Sequence, residues 1–142
     1  MLDYPVEFNS NSEAEKADNW ELKTGEGLKT RMTVPEEFGG DNEYPSPEDL
    51  FAASIQTCMI ATFKTIAERK NLRYQKIVCK GSVNLDRGSD SRPVMKDGDI
   101  KLTIEGIKNR EKAEKVSKAA EKNCFIHNSV KTEIETSFEF TE

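Results

Sequence analysis

Residues 50–63 of this sequence carry no charged side chain, and the whole sequence contains few cysteines. Three cysteines in 142 residues are too few for a disulfide scaffold, so each is either packed in the interior or used chemically. Lysine and arginine number 21 against 26 aspartate and glutamate residues, which gives a net charge of −5. This balance lacks the positive excess that nucleic acids and anionic membranes attract, and we expect neither as a partner.

We also recognise no targeting signal, repeat or linker in the sequence. The N-terminus MLDYPVEFNSNSEAEK lacks the basic start and apolar core of a signal peptide. The longest uncharged apolar run, Leu50 to Phe63, is too short to span a bilayer. We therefore expect a cytoplasmic protein with one domain covering residues 1–142.

Alternating apolar and polar residues predict six strands, and longer apolar periods predict two helices, in the order three strands, helix, two strands, helix, strand. This order is typical of an α+β fold in which sheets cover helices. Residues 86–99 are polar and are predicted to form a connection. The predicted strands contain Tyr4–Phe8, Trp20–Thr24, Leu28–Val34, Ile77–Leu85, Ile100–Ile104 and Ile134–Phe140, and the predicted helices span residues 46–66 and 110–123.

The first predicted helix has no polar stripe. Ser46 is a good N-cap, and Glu48 and Asp49 complement the positive helix end. Between Asp49 and Lys64, however, no residue is ionisable except Cys58. A helix without a polar face should be central in the fold. A chain of this size has little material to surround it, so a second subunit is the economical cover and we expect a dimer.

The three cysteines have different surroundings in the pattern. Cys79 lies on the apolar side of a strand and is predicted to be a packed residue. Cys58 has small neighbours one helical turn away. Cys124 continues the apolar stripe of the second helix, and a new turn beginning there would place amides near its sulfur and favour a thiolate. Cys58 and Cys124 are therefore either a functional pair or two further packed residues.

Two stretches carry a resemblance to a known family. The segments VPEEFGG…YPSPEDLFAASIQTC and AEKNCFIHNSV resemble the osmotically inducible protein C and organic hydroperoxide resistance (OsmC/Ohr) family. The resemblance implies an α+β fold in which sheets wrap around central helices of an intertwined homodimer, with active sites at the subunit interface. It also implies a thiol peroxidase that prefers organic hydroperoxides and needs no metal or organic cofactor.

The family pattern also implies roles for individual residues. Cys58 matches the peroxidatic cysteine, Cys124 the resolving cysteine, and Glu48 the glutamate that holds a catalytic arginine. The reductant is an external dithiol, which in one branch of the family is a lipoylated protein. Four apolar residues are predicted to line the substrate site: Phe51, Ile55, Met59 and Phe125.

The sequence departs from that family pattern at two places. The glycine-rich stretch that carries the arginine in the organic hydroperoxide branch has no counterpart, and counting back without gaps reaches Lys16 or Ala17. Arg31 is the nearest arginine before the central helix and is the candidate substitute. Phe125 stands where a proline commonly follows the resolving cysteine.

Two other functions compete with the peroxidase. Cys124 and His127 have C-x-x-H spacing, and Cys58 could add a third zinc ligand, although structural zinc sites usually need four. Alternatively, the chain could form a non-enzymatic dimer that binds a small apolar molecule between its subunits and keeps its cysteines as packing.

Overall fold

The structure is a computed structural model that describes residues 3–16 and 18–142. Ala17, one of the two positions considered for the family arginine, lies outside the described residues. The chain divides into two compact units, Met1–Phe51 and Ala52–Glu142. A single domain over residues 1–142 stays a prediction.

The first unit contains a three-stranded antiparallel sheet with the order β1 (Ser10–Glu13), β2 (Asn19–Thr24) and β3 (Lys29–Thr33). The hairpin between β2 and β3 is confirmed, because the Thr24 amide donates to the Leu28 carbonyl at 3.0 Å. A short 3-10 helix, Glu36–Phe38, follows in the loop before the central helix.

The predicted first strand at Tyr4–Phe8 is wrong, because β1 begins at Ser10. Ser10 pairs with Thr24, the last residue of β2, and the chain turns away after it. β2 therefore has no further residues with which the chain before Ser10 could pair. Phe8 is 90% exposed, so the apolar side of this alternating segment does not pack against an apolar surface.

The second unit contains a sheet with the order β4 (Lys76–Arg87), β5 (Pro93–Glu105) and β6 (Glu133–Phe140). β4 and β5 are antiparallel, whereas β5 and β6 are parallel. A parallel neighbour requires a crossover connection. Two helices form that crossover, α2 (Arg110–Asn123) and α3 (Phe125–Ser129).

The predicted polar connection over residues 86–99 is wrong. β4 continues to Arg87 and β5 already begins at Pro93, so only a short turn separates them. The outer part of this hairpin is exposed, and Asn84 donates a side-chain hydrogen bond to Asp97 at 2.8 Å. Backbone pairing therefore extends beyond the apolar pattern that was used to predict it.

The central helix α1 spans Pro47–Arg69, and its first turn lies in the first unit. The N-cap is confirmed: Ser46 Oγ accepts from the Asp49 amide at 3.1 Å, and Asp49 Oδ2 accepts from the Ser46 amide at 2.8 Å. These reciprocal bonds satisfy two amides that the helix itself cannot pair, as in a capping box. The helix begins where the sequence predicts and ends three residues later.

One stripe of α1 is completely buried within the second unit. Phe63 contacts Tyr74 edge to face, with ring centroids 5.6 Å apart, and Gln56 donates to the Gly81 carbonyl of β4 at 3.4 Å. The core combines this stripe with one side of β5 and one side of α2. Its fully buried members in these elements are Ile55, Met59, Phe63, Ala67, Ile100, Leu102, Ile104, Ala113, Val116, Ala120 and Cys124.

The side of α1 opposite the buried stripe carries exposed residues. Ala53, Thr57 and Ala61 are exposed, so the all-round burial expected for this uncharged helix is not provided by the described residues of one chain. By length and composition the helix could cross a membrane, with a mean hydropathy of 1.3 over a window of which 22% is buried. Core helices of soluble proteins meet the same criterion.

Candidate functional site

Cys58 lies in the middle of α1, beside the buried stripe rather than within it. The preceding and following positions of that stripe, Ile55 and Met59, are fully buried, whereas Cys58 is half-buried. Thr62, one turn further on, places its Oγ1 4.0 Å from the Cys58 Sγ. The thiol is therefore partly accessible and has a polar neighbour on its own helix.

Cys124 lies at the junction between α2 and α3 and is completely buried. Its φ and ψ of −71° and 111° are extended, so the residue ends one helix and begins the next. Both predictions about its position are confirmed: it continues the buried stripe of Val116 and Ala120, and a new turn begins after it.

The structure brings the Cys58 and Cys124 thiols together. Burial raises the pKa of Cys124 from its ordinary 9.0 to about 11, and Cys58 adds to the rise through a side-chain hydrogen bond and through charge repulsion. At neutral pH Cys124 therefore keeps its proton. The retained S–H of Cys124 can donate a hydrogen bond to the Cys58 sulfur.

The amides of α3 act on Cys124 in the opposite direction. The backbone N–H groups of His127 and Ile126 lie near enough to its sulfur to lower the pKa, although neither makes a side-chain cap hydrogen bond of ordinary geometry. Burial and Cys58 outweigh them. The amides therefore act in the direction expected from the sequence, but the net pKa of Cys124 is raised.

Two free thiols in contact can be joined by a disulfide once one of them has been oxidised. The half-buried Cys58 can react with a small electrophile, while the buried Cys124 stays protonated. Such an arrangement is suited to an attack by one sulfur followed by capture of the product by the other.

Cys79 lies on β4, whereas Cys58 lies on α1 and Cys124 at the α2–α3 junction. It is in β4 opposite Leu102, it is half-buried, and burial raises its pKa. Its position on the sheet agrees with the packed residue that the sequence predicts.

The four predicted substrate-lining residues lie in different environments. Ile55 and Met59 belong to the buried core stripe, whereas Phe125 is 71% exposed at the start of α3. Phe51 is half-buried and belongs to the first unit. Of the four, Phe125 is the residue that follows Cys124 directly and is accessible from solvent in the single chain.

Glu48 and Arg31 both belong to the first unit. Glu48 lies in the first turn of α1, ten residues before Cys58, and its Oε2 is buried with no hydrogen-bond partner among the described residues. Arg31 is exposed on β3, where its guanidinium donates to the Asn19 side chain and to the Asn19 carbonyl. The Glu48 carboxylate thus has capacity for a donor, and Arg31 already has an acceptor.

His127 lies three residues after Cys124, with its Nδ1 buried and without a hydrogen-bond partner in residues 3–16 and 18–142. In the same residues, no group of three or more histidine, cysteine or acidic side chains has the arrangement of a metal site. The zinc-site alternative therefore has no support from the positions of its proposed ligands.

Thr62 is one of the small neighbours that the sequence predicts one turn from Cys58, but its polar contact with the thiol was not predicted. A hydroxyl four residues after a cysteine on a helix lies on the same face, and this spacing was the available signal. The electrostatic effect of Cys58 on Cys124 depends on distance and burial and had no such signal.

The fold and the paired thiols define an α+β protein with a candidate dithiol site on its central helix. The chain belongs to the OsmC-like protein family, whose sequence model matches residues 40–139. This finding confirms the resemblance seen in the sequence. We therefore interpret α1 as the core helix of a soluble fold rather than as a membrane span.

Individual relatives agree with this family. An uncharacterized protein of Acinetobacter baylyi is 30% identical over 114 residues, which cover 79% of this chain and 77% of that protein. An OsmC-like protein of unknown function from Vibrio cholerae has a TM-score of 0.84 at 18% identity, covering 94% of this chain and 99% of that one. An organic hydroperoxide resistance protein OsmC from Legionella pneumophila has a TM-score of 0.79 at 20% identity, with coverages of 96% and 99%. These likenesses confirm the α+β fold class.

Proposed function

We propose that this protein is a thiol-dependent peroxidase that reduces organic hydroperoxides through a dithiol and disulfide cycle of Cys58 and Cys124. The contact between the two thiols is the observation that carries the proposal. Membership of the OsmC-like family and the fold shared with an organic hydroperoxide resistance protein support it.

The first step follows from the position of Cys58. Its thiolate attacks the terminal oxygen of the hydroperoxide, so that a sulfur–oxygen bond forms and the oxygen–oxygen bond breaks. The alkoxide leaves, takes a proton and becomes the alcohol. Cys58 is left as a sulfenic acid, having supplied the two electrons.

The second step uses Cys124. Its sulfur attacks the sulfenic sulfur, a disulfide forms, and the sulfenic oxygen leaves as water with the Cys124 proton. An external dithiol then reduces the disulfide by thiol–disulfide exchange and becomes oxidised itself. Neither a metal nor an organic cofactor has a role in these steps, and a lipoylated protein would have the chemistry required of the reductant.

Glu48 and Arg31 are proposed to assist Cys58. The buried Oε2 of Glu48 lacks a partner among the described residues, which suits a carboxylate that orients a cation. Arg31 is our candidate for that cation, although its present hydrogen bonds to Asn19 would have to be shared or exchanged.

The substrate is proposed to bring its alkyl group to the apolar residues near the thiols. The exposed ring of Phe125 is available for such a contact, and Phe51 is partly available. Because Ile55 and Met59 are fully buried in the single chain, their contact with substrate requires the alkyl group to reach the core. We also propose that the protein is a cytoplasmic homodimer, since the uncharged outer side of α1 is uncovered.

Turnover of cumene hydroperoxide with dithiothreitol tests this function. Cys58→Ser should abolish turnover because serine supplies no comparable nucleophile at neutral pH. Cys124→Ser should react once and stall as a sulfenic acid that dimedone traps. Cys79→Ser is the matched control and should keep activity. Equal activity of Cys58→Ser and the unaltered protein would contradict the proposal and favour a binding protein whose cysteines are packing.

A further inference from the structure

The hydroxyl of Thr62 lies between two atoms of Cys58. Its Oγ1 is 4.0 Å from the Cys58 Sγ and donates to the Cys58 carbonyl at 2.8 Å. Both residues are half-buried on the same side of α1. Thr62 thus places a polar hydrogen next to the sulfur that the proposed function makes the nucleophile.

Other threonines of α1 show that the carbonyl bond is a general feature of this helix. Thr57 donates to the Ala53 carbonyl at 2.8 Å, and Thr65 donates to the Ala61 carbonyl at 3.0 Å. Both are exposed. Thr62 makes the same kind of bond but also contacts a thiol. The contact with Cys58 can therefore be separated experimentally from the bond to the helix backbone.

We propose that Thr62 donates a hydrogen bond to the Cys58 thiolate. A hydroxyl has one hydrogen and two acceptor lone pairs. While Cys58 is a thiol, its S–H can donate to Thr62 Oγ1 and the hydroxyl hydrogen remains on the carbonyl. When Cys58 loses its proton, rotation of that hydroxyl hydrogen toward the sulfur replaces a neutral bond by a stronger charge-assisted one.

This change requires no movement of a helix or loop. The Cys58 carbonyl keeps the backbone hydrogen bond that an α-helix gives it from the residue four positions later. The distance of 4.0 Å is long for a hydrogen bond to sulfur, and such contacts shorten when the charged or reacting state forms. The S–H of Cys124 supplies a second donor to the same sulfur.

The catalytic role of this hydrogen bond rests on the proposed function, whereas the hydrogen bond itself can be tested without peroxidase activity. Two neutral donors from the same chain, Thr62 and Cys124, would hold the Cys58 thiolate in addition to any cation. On the adjoining α2–α3 junction the titratable groups are Cys124, which contacts Cys58, and His127. Both are unchanged in the Thr62 variants, so their influence is common to all measurements.

The test measures the alkylation rate of Cys58 by iodoacetamide between about pH 5 and pH 10, followed on the Cys58 peptide by mass spectrometry and without peroxide. Thr62→Val keeps the branched shape and removes the hydroxyl, and should raise the midpoint by about one pH unit. Thr62→Ser retains the hydroxyl and should titrate like the unaltered protein. Thr65→Val, which removes an equivalent bond to the helix backbone, is the matched control.

An unchanged midpoint in Thr62→Val would overturn the inference, as would equal shifts in Thr62→Val and Thr65→Val. A rate reduced by the same factor at every pH would also contradict it, because that result indicates altered access. If Thr62→Val folds poorly, Thr62→Ala makes the same test in a residue of better helix propensity. A shifted midpoint in a protein that consumes no hydroperoxide would support Thr62 as donor while refuting the peroxidase.

Discussion

At the scale of single residues, the two thiols have different tasks because their environments differ. Cys124 is fully buried and its pKa is raised to about 11, so it holds its proton in the resting protein. Two of the causes are the hydrogen bond and the charge repulsion from Cys58. Both should weaken once Cys58 is a neutral sulfenic acid. Oxidation of the first cysteine would therefore make the second a better nucleophile.

This relation predicts the pH dependence of disulfide formation. A raised pKa leaves thiolate scarce at neutral pH, so the resolving rate should increase by about tenfold per pH unit below the Cys124 midpoint. That midpoint should lie below about 11, because the hydrogen bond and the charge repulsion from Cys58 weaken after Cys58 is oxidised. The measurement is the single-turnover rate of disulfide formation after one equivalent of hydroperoxide. A rate that stays constant from neutral to alkaline pH would contradict this account.

Residue positions were more predictable from the sequence than residue electrostatics. The helical period placed Cys124 on the buried stripe with Ala120, and the structure confirms that position. The net effect on its pKa could not be obtained in this way. Burial and the distance to Cys58 depend on how α1 and α2 pack together, which no local pattern contains.

At the scale of elements, prediction succeeded where side chains alternate against a core and failed where they do not. The second helix was predicted at residues 110–123 and is observed as Arg110–Asn123. The outer β4–β5 hairpin is exposed, so it lacks an apolar period and was missed. Residues 4–8 have the period but no strand to pair with. A hydrophobic pattern shows which face of a segment is apolar, but strand pairing also requires a neighbouring strand.

The exposed side of α1 predicts how chains associate. Ala53, Thr57 and Ala61 are small, uncharged and exposed, and a second copy is the cover that we propose. Ala61→Glu should convert the dimer into monomer or aggregate, because a carboxylate buried in an apolar interface lacks a partner. Light scattering after size-exclusion chromatography measures the mass.

Ser137→Glu, which adds the same charge to an exposed position of β6, provides the control for that experiment and should leave the dimer intact. A stable monomer of the unaltered protein at low micromolar concentration would contradict the proposed interface. An Ala61→Glu protein with unchanged mass would place the interface elsewhere on the chain.

At the scale of the whole molecule, the fold brings together residues that are far apart in sequence. Cys58 and Cys124 are 66 positions apart, and they meet because α1 and the α2–α3 junction contribute to one core. The residue pattern left a functional pair as one of two alternatives, and the family resemblance favoured it. The third cysteine, Cys79, lies on β4 and serves as an internal reference for any oxidation experiment.

Mapping the disulfide formed by one equivalent of tert-butyl hydroperoxide tests the central claim most directly. The reduced protein should lose two thiols together, and mass spectrometry of the digest should find a peptide that links Cys58 to Cys124 within one chain. Cys79 should remain free. A disulfide that contains Cys79, or three thiols that all remain titratable after peroxide, would contradict the account.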